Sequence, residues 1–344
     1  MELSTRKQAI VLALVEAYIR TGEPVGSKAL TELLENAPSS ATLRNEMSEL
    51  CELGFLEQPH TSAGRIPTSN AYRLYVESLP KSHTLSSAGR EAIDNMLFSV
   101  SDDPEHIPAG ISRVVSRLTG LPAISATVAG ENSNITRAQL IPLGRHSAML
   151  VLITSHGRAR SRLCRTSAAL TPQSISVFEK LLKEKIIGVP VGRITPAFLQ
   201  SLIVCAGADA LALMPVLTVL FEMIDEVSRA TLELDGQANI FTVCKNDADA
   251  RDILSLFDHR EALISMLCDV NKPISVLFGS EMHFARRCSS TVIIASFNTG
   301  NGEYGRIGVV GPERMSYAQI IPSLAYIAEK AGDIMTRVLR DMED

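Results

Sequence analysis

The sequence predicts an α+β chain of more than one domain, and three patterns predict it. Residues 39–68, SSATLRNEMSELCELGFLEQPHTSAGRIPT, read as a capped helix, a stop at Gly54, a short strand and a polar loop carrying one arginine. Strand-like runs (ISATVA, AQLIPL, AMLVLIT, ARSRLC) begin near Ala123, and others (ISVLFG, STVIIASF, RIGVVG) precede a long helix at about 316–340. Between these two groups, residues 174–230 read as mostly helical. Strands on both sides of a helical block imply a mixed domain with an insertion.

The N-terminal elements follow from spacing and caps. Leu3, Ile10, Leu14 and Tyr18 recur at helical intervals after Ser4, and Gly22 with Pro24 ends that helix. Ser27 caps a short helix through Leu34, and residues 36–38 make the turn. Ser39 or Ser40 caps a third helix whose buried face is Leu43, Met47, Leu50 and Leu53. Three helices with a tight turn between the last two make a helix-turn-helix. Phe55 and Leu56 open a hairpin with its tip at 59–64, and Thr68 caps a further helix to about Leu79. This is the layout of a winged helix, which lays one helix in the DNA major groove and a hairpin beside it. Further along, NIFTV at 239–243 reads as a strand, followed by two helices around 251–268.

Totals set limits on function. The 344 residues are 46% hydrophobic, ample for more than one core, and the net charge of −5 argues against a broad, non-specific nucleic-acid binder. Tryptophan is absent and aromatics are 5%, which disfavours stacking on single strands. The six cysteines form no CxxC pair and no metal-finger spacing, so they are expected to be reduced thiols of a cytoplasmic protein. Leu202–Phe221 is long and apolar enough to invite a membrane reading. Asp209 and Pro215 interrupt it and no basic cluster flanks it, so a core or subunit-interface helix is expected and no membrane partner.

The candidate site residues all lie in the first 70. Arg44 and Asn45 stand beside the buried Leu43, and they are side chains that bond guanine and adenine edges in pairs. The bland alternative is a solvated helix face with ion pairs to Glu46 or Glu49. Residues 1–80 hold seven Lys/Arg and ten Asp/Glu, a net of −3, so phosphate attraction must come from arrangement. Arg6, Lys7, Lys28, Arg44 and Arg65 would need to share one face. Ser27, Ser39, Ser40 and Thr42 can add neutral phosphate contacts, and Arg65 at the wing can reach phosphate or a narrow minor groove. His60 and Thr61 share that loop.

Three other features were weighed against function. Arg137, Arg145, Arg158, Arg160, Arg162 and Arg165 occur without an acid between 132 and 178, and alternation at 158, 160 and 162 suggests an exposed strand face rather than a second anion site. GNGEYG at 300–305 fits GxGxxG but runs into a strand instead of opening a helix, so a hairpin turn is expected and not a dinucleotide site. The histidines are scattered, with no HExxH, nucleophile elbow or P-loop, so no catalysis, metal or cofactor is expected.

The segments YIRTGEPVGSKAL at 18–30, 39–68 as quoted, NAYRLYV at 70–76, DGQANIF at 235–241 and GRIGVVGPERMSYAQIIPSLAYIAEKAG at 305–332 closely resemble the HrcA family of heat-inducible transcription repressors. The resemblance implies a winged helix at 1–79, a linker helix at 80–105, a discontinuous GAF-like domain at 106–170 and 247–344, and a mainly helical dimerisation domain inserted at 171–246. It also implies a homodimer on double-stranded operator DNA, the inverted-repeat CIRCE element ahead of chaperone genes. Heat would inactivate that dimer and the chaperonin GroEL would keep it active. The competing reading is a ligand-responsive regulator whose GAF-like pocket binds a metabolite.

Overall fold

The structure is a computed structural model that describes residues 3–343 except 36, 61–62, 81–84, 101, 128–132, 245–246, 271, 283–289 and 301–302. The winged helix comprises α1 (Thr5–Thr21), α2 (Ser27–Leu33), α3 (Ser40–Glu52), β1 (Leu56–Glu57), β2 (Ile66–Pro67) and α4 (Ser69–Ser78). Ser4 caps α1 by accepting from the Lys7 amide, and Gly22 ends it in the left-handed conformation, φ 69°, with its amide on the Tyr18 carbonyl. Leu43, Met47 and Leu50 of α3 are buried with Ile10, Val11 and Leu14 of α1. Leu53, expected on that buried face, is exposed, because it caps the helix rather than continuing it. Thr68 sits before α4 but does not cap it through its side chain. Its hydroxyl bonds the Gly54 and Phe55 carbonyls, tying the end of α3 to the start of α4.

Next come α5 (Ser87–Leu97) and α6 (Ile107–Thr119), then β3 (Ala123–Thr127). The chain then leaves for about one hundred residues: β4 (Ile135–Gly144), β5 (Ser147–Thr154), β6 (Ala159–Arg165), α7 (Pro172–Leu181), α8 (Pro196–Ala206) and α9 (Ala210–Ser228). It returns as β7 (Thr231–Asp235), which pairs antiparallel with β3. Three helices, α10 (Ile240–Val243), α11 (Asp247–Ser255) and α12 (Arg260–Cys268), lead to β8 (Ile274–Phe278), β9 (Ser290–Gly300), β10 (Glu303–Pro312) and α13 (Tyr317–Glu343).

The main sheet is antiparallel, in the order β7-β3-β10-β9-β8. One face carries Ala123, Ile293, Ala295, Phe297, Ile307 and Val309 toward α6 and α13. The other carries Ile124, Ala126, Val292, Ile294 and Val310 toward α11 and α12. Cover on both faces explains the unbroken apolar run VIIA, which a sheet wet on one side would not tolerate. This two-sided sheet is the GAF-like domain. The GxGxxG run joins β9 to β10, with Glu303 opposite Gly300. An added Cβ on Gly305 would lie 2.0 Å from the Phe297 ring, so that glycine makes room for a cross-strand aromatic.

The packing redraws the expected insert. Strands β4, β5 and β6 form a separate antiparallel sheet, and Leu140, Leu150, Leu152 and Cys164 share a core with α7, α8 and α9. Strand β7 belongs instead to the main sheet. The inserted unit therefore spans residues 133–229, against the expected 171–246. Alternation along a strand shows that one face is buried but not which sheet buries it. NIFTV, expected as a strand, forms the short helix α10 instead, with Ile240 buried in the core beneath α11 and α12.

The arginine run also needs correction. Arg158, expected on an exposed strand face, is 8% exposed. Its Nη1 donates to the Val227 and Arg229 carbonyls at 2.8 and 2.6 Å. Its Nη2 reaches the Thr127 carbonyl at 3.3 Å and hydroxyl at 3.1 Å. One guanidinium thus clasps the chain where it leaves the main sheet and where it returns. Arg160 pairs with Glu105, and Arg162 pairs with Glu222 at 3.0 Å and with Glu226. These cations serve acids and carbonyls of their own chain. Arg158→Ala should cost about 2–4 kcal/mol in urea unfolding, and Arg158→Lys should recover part of that, because a charged donor is lost while buried carbonyls stay behind. Unchanged stability would remove the clasp from the account.

Candidate nucleic-acid interface

The interface is built from three ends that meet: the start of α2, the start of α3 and the wing. Ser39 caps α3 by accepting from the Thr42 amide at 3.2 Å, and its hydroxyl also meets that of Thr42 at 2.9 Å. Ser40 and Ser27 bond hydroxyl to hydroxyl at 2.8 Å, which fixes the α2 and α3 starts against each other. Lys28, next on α2, is exposed. Two residues before Ser27, Val25 exchanges both backbone hydrogen bonds with Arg65, each 2.9 Å. The wing is thereby stitched to the turn before α2, and Arg65 is carried to the edge of the serine cluster.

That stitch demands glycine at position 64. An added Cβ would stand 2.5 Å from both the carbonyl carbon and the oxygen of Val25, and 2.9 Å from the Gly26 nitrogen, all backbone atoms. Arg65 is half-buried, with its Nε unpaired inside the protein. His60 is exposed on the loop, and Thr61 lies outside the described residues.

Along α3, Thr42, Arg44 and Asn45 are exposed. Among the described residues neither the Arg44 nor the Asn45 side chain has a protein partner, so the feared pairing of Arg44 with Glu46 or Glu49 does not form. Those acids are taken by α1 instead: Lys7 Nζ donates to Glu49 at 2.6 Å, and Arg6 lies 3.7 Å from Glu46. The hydrogen bond to Glu49 holds the Lys7 ammonium above its ordinary pKa. Two of the five cations expected to share one face thus act by cancelling negative charge on α3. The sequence could not show this, because Lys7 and Glu49 stand 42 residues apart there.

The winged helix is anchored to the GAF-like domain on its other side. Tyr72 of α4 packs against Tyr317 of α13, ring centroids 5.9 Å apart, and Tyr317 against Phe278 at 6.4 Å. Arg73 lies 5.1 Å over the Phe278 ring and pairs with Glu281. Ser69 donates to Glu313 at 2.5 Å, and Arg314 donates to the Ile19 carbonyl at 3.2 Å. Burial pushes the Glu313 carboxyl above the usual carboxylate range, against the pull of the Ser69 hydroxyl. None of these anchoring residues was singled out in the sequence. The apolar and aromatic run of NAYRLYV is the signal in the sequence for the α4 side of this joint.

Gly64→Ala should lower the stability of the winged helix by about 1–3 kcal/mol in thermal unfolding, because backbone rather than a flexible side chain must yield. An unchanged melting temperature would mean that the wing is not closed on Val25.

Two family models cover most of the chain. The one described as winged helix-turn-helix transcription repressor, HrcA DNA-binding, matches residues 2–79, and the one described as HrcA protein C terminal domain matches residues 105–321. The heat-inducible transcription repressor HrcA of Acetivibrio thermocellus is 29% identical over 344 residues, with 98% of each chain covered. Its counterpart in Thermobifida fusca is 32% identical over 335 residues, with 97% of each covered. A crystal structure of a hypothetical protein, 23% identical, superposes with a TM-score of 0.63 over 98% of this chain and all of that one, a likeness of fold. With winged helix, GAF-like sheet and both family models in agreement, the chain belongs to the HrcA family of heat-inducible transcription repressors.

Proposed function

We propose that this chain is a homodimeric repressor of heat-shock chaperone genes that binds an inverted-repeat operator of the CIRCE kind. Each α3 enters the major groove of one half-site, with Arg44 and Asn45 on base edges. Ser27, Lys28, Ser39, Ser40 and Thr42 hold phosphates, and Arg65, with His60 and Thr61, lies beside the groove at the wing. The observation that carries this reading is the pair Arg44 and Asn45, exposed and without a protein partner among the described residues, on a helix whose Glu46 and Glu49 already face Arg6 and Lys7 of α1.

The inserted unit supplies the dimer contact. On α8 and α9, Val204 and Leu211 are each 79% exposed and Met214 is 40% exposed; 28% of the most apolar stretch is buried. A membrane does not suit this face. Gly207, at φ 55° and ψ −122°, breaks the segment into helices of 11 and 19 residues, and one side of α9 is committed to the insert core. A second copy would cover the face, and two-fold protein symmetry would match the inverted repeat. Heat that uncovers such apolar surface would remove the active dimer, and the chaperonin GroEL, by refolding the chain, would restore it.

The test is titration of a duplex bearing the inverted repeat against a scrambled duplex at two salt concentrations. A preference of about a thousandfold or more with two chains per duplex is expected. Arg44→Ala should cost about 1–3 kcal/mol and relax specificity at one position per half-site. Leu211→Glu should yield monomers in sedimentation and lose the two-chain complex. Equal, weak binding of both duplexes by folded dimer would overturn the proposal.

A further inference from the structure

A cleft of about 670 Å³ opens where the winged helix meets the rest of the molecule. Its walls come from separate units: Ile19 from α1, Leu85 before α5, Leu118 from α6, and Met315 and Ile320 beside and on α13. The size lies within the range of small-molecule sites, and the lining mixes apolar side chains with the polar Ser86, Thr119, Thr242, Gln319 and Ser323. Arg314 is the charged side chain among the described residues of that lining. It donates one hydrogen bond, to the Ile19 carbonyl, and has no acid partner among the described residues. A guanidinium has five N–H donors, so a side chain that lines the cleft and donates one of them keeps capacity for an anion. A half-buried cation in a cleft that also presents Leu85, Leu118 and Ile320, with no carboxylate in the lining to compete, favours an anion that carries an apolar portion.

We infer that this cleft binds a small amphipathic carboxylate, its head on Arg314 and its apolar chain along Leu85, Leu118 and Ile320. The GAF-like sheet has helices packed on both faces, so this site lies outside its core, at the joint with the DNA-facing unit. Its occupant touches α1 and α13 together and so reports on, and strengthens, the docking of the winged helix.

Octanoate is a suitable probe, with octanamide as the neutral control of equal length. Calorimetry on the full chain should show one octanoate per chain and at least about tenfold weaker octanamide, the scale of one charge-assisted hydrogen bond. Arg314→Gln should bring octanoate to the octanamide level. Ser323→Trp, which places an indole in the cleft from the α13 side, should abolish both and keeps the test alive if the first variant fails to fold. Binding that survives both variants would place the fatty chain on the exposed α8–α9 face and overturn the inference. So would equal affinity for acid and amide, or no saturable binding up to roughly 10 mM. The readout contains no DNA, so its failure leaves the operator reading untouched.

Discussion

The buried joint of Tyr72, Tyr317 and Phe278 is the contact on which the functional geometry depends. A winged helix can read one half-site alone, but reading two at a fixed spacing requires that its angle to the dimer contact be set. Tyr72 and Tyr317 are 2% and 0% exposed, so the joint is part of the core rather than a surface touch. Apolar burial of this extent resists rotation, while the rim bonds, Ser69 to Glu313 and Arg314 to Ile19, fix direction. The Arg158 clasp does the corresponding work at the far end, where the insert leaves the sheet. Between them, the two joints seat the winged helix and the insert against the same domain.

The same arrangement suits a thermal switch. Each joint rests on a few side chains, and folded domains sit within a narrow stability margin. The exposed apolar α8–α9 face adds a path to aggregation when the chain opens.

Local features were legible in the sequence and long-range ones were not. Ser4, Ser39, Gly22 and Gly54 act within a few residues of themselves, so the ends of α1 and α3 could be read directly, whereas Ser27, expected as a cap, is the first residue of α2 behind Gly26, with no side-chain cap. VIIA and RIGVVG read as strands because two-sided cover leaves an unbroken apolar run. The failures come from partners far away in sequence. NIFTV has strand composition, but it follows Gly236 in the left-handed conformation and turns into a helix against the sheet. The alternation of β5 is as good for one sheet as for another, so the insert boundary was misplaced. Arg158 looked like its neighbours 160 and 162 until 127, 227 and 229 were seen around it. At the interface, Arg44 and Asn45 were found from residue type and spacing. The shielding of α3 by Arg6 and Lys7, and the Val25–Arg65 stitch, required the fold.

The central claim is that α3 and the wing, and no other basic surface, meet the DNA. Amide hydrogen exchange of the full chain with and without the inverted-repeat duplex tests it most directly. The account predicts slowed exchange at residues 39–49 and around Arg65, with β6 and its arginines unchanged. Protection at β6 with none on α3 would contradict it.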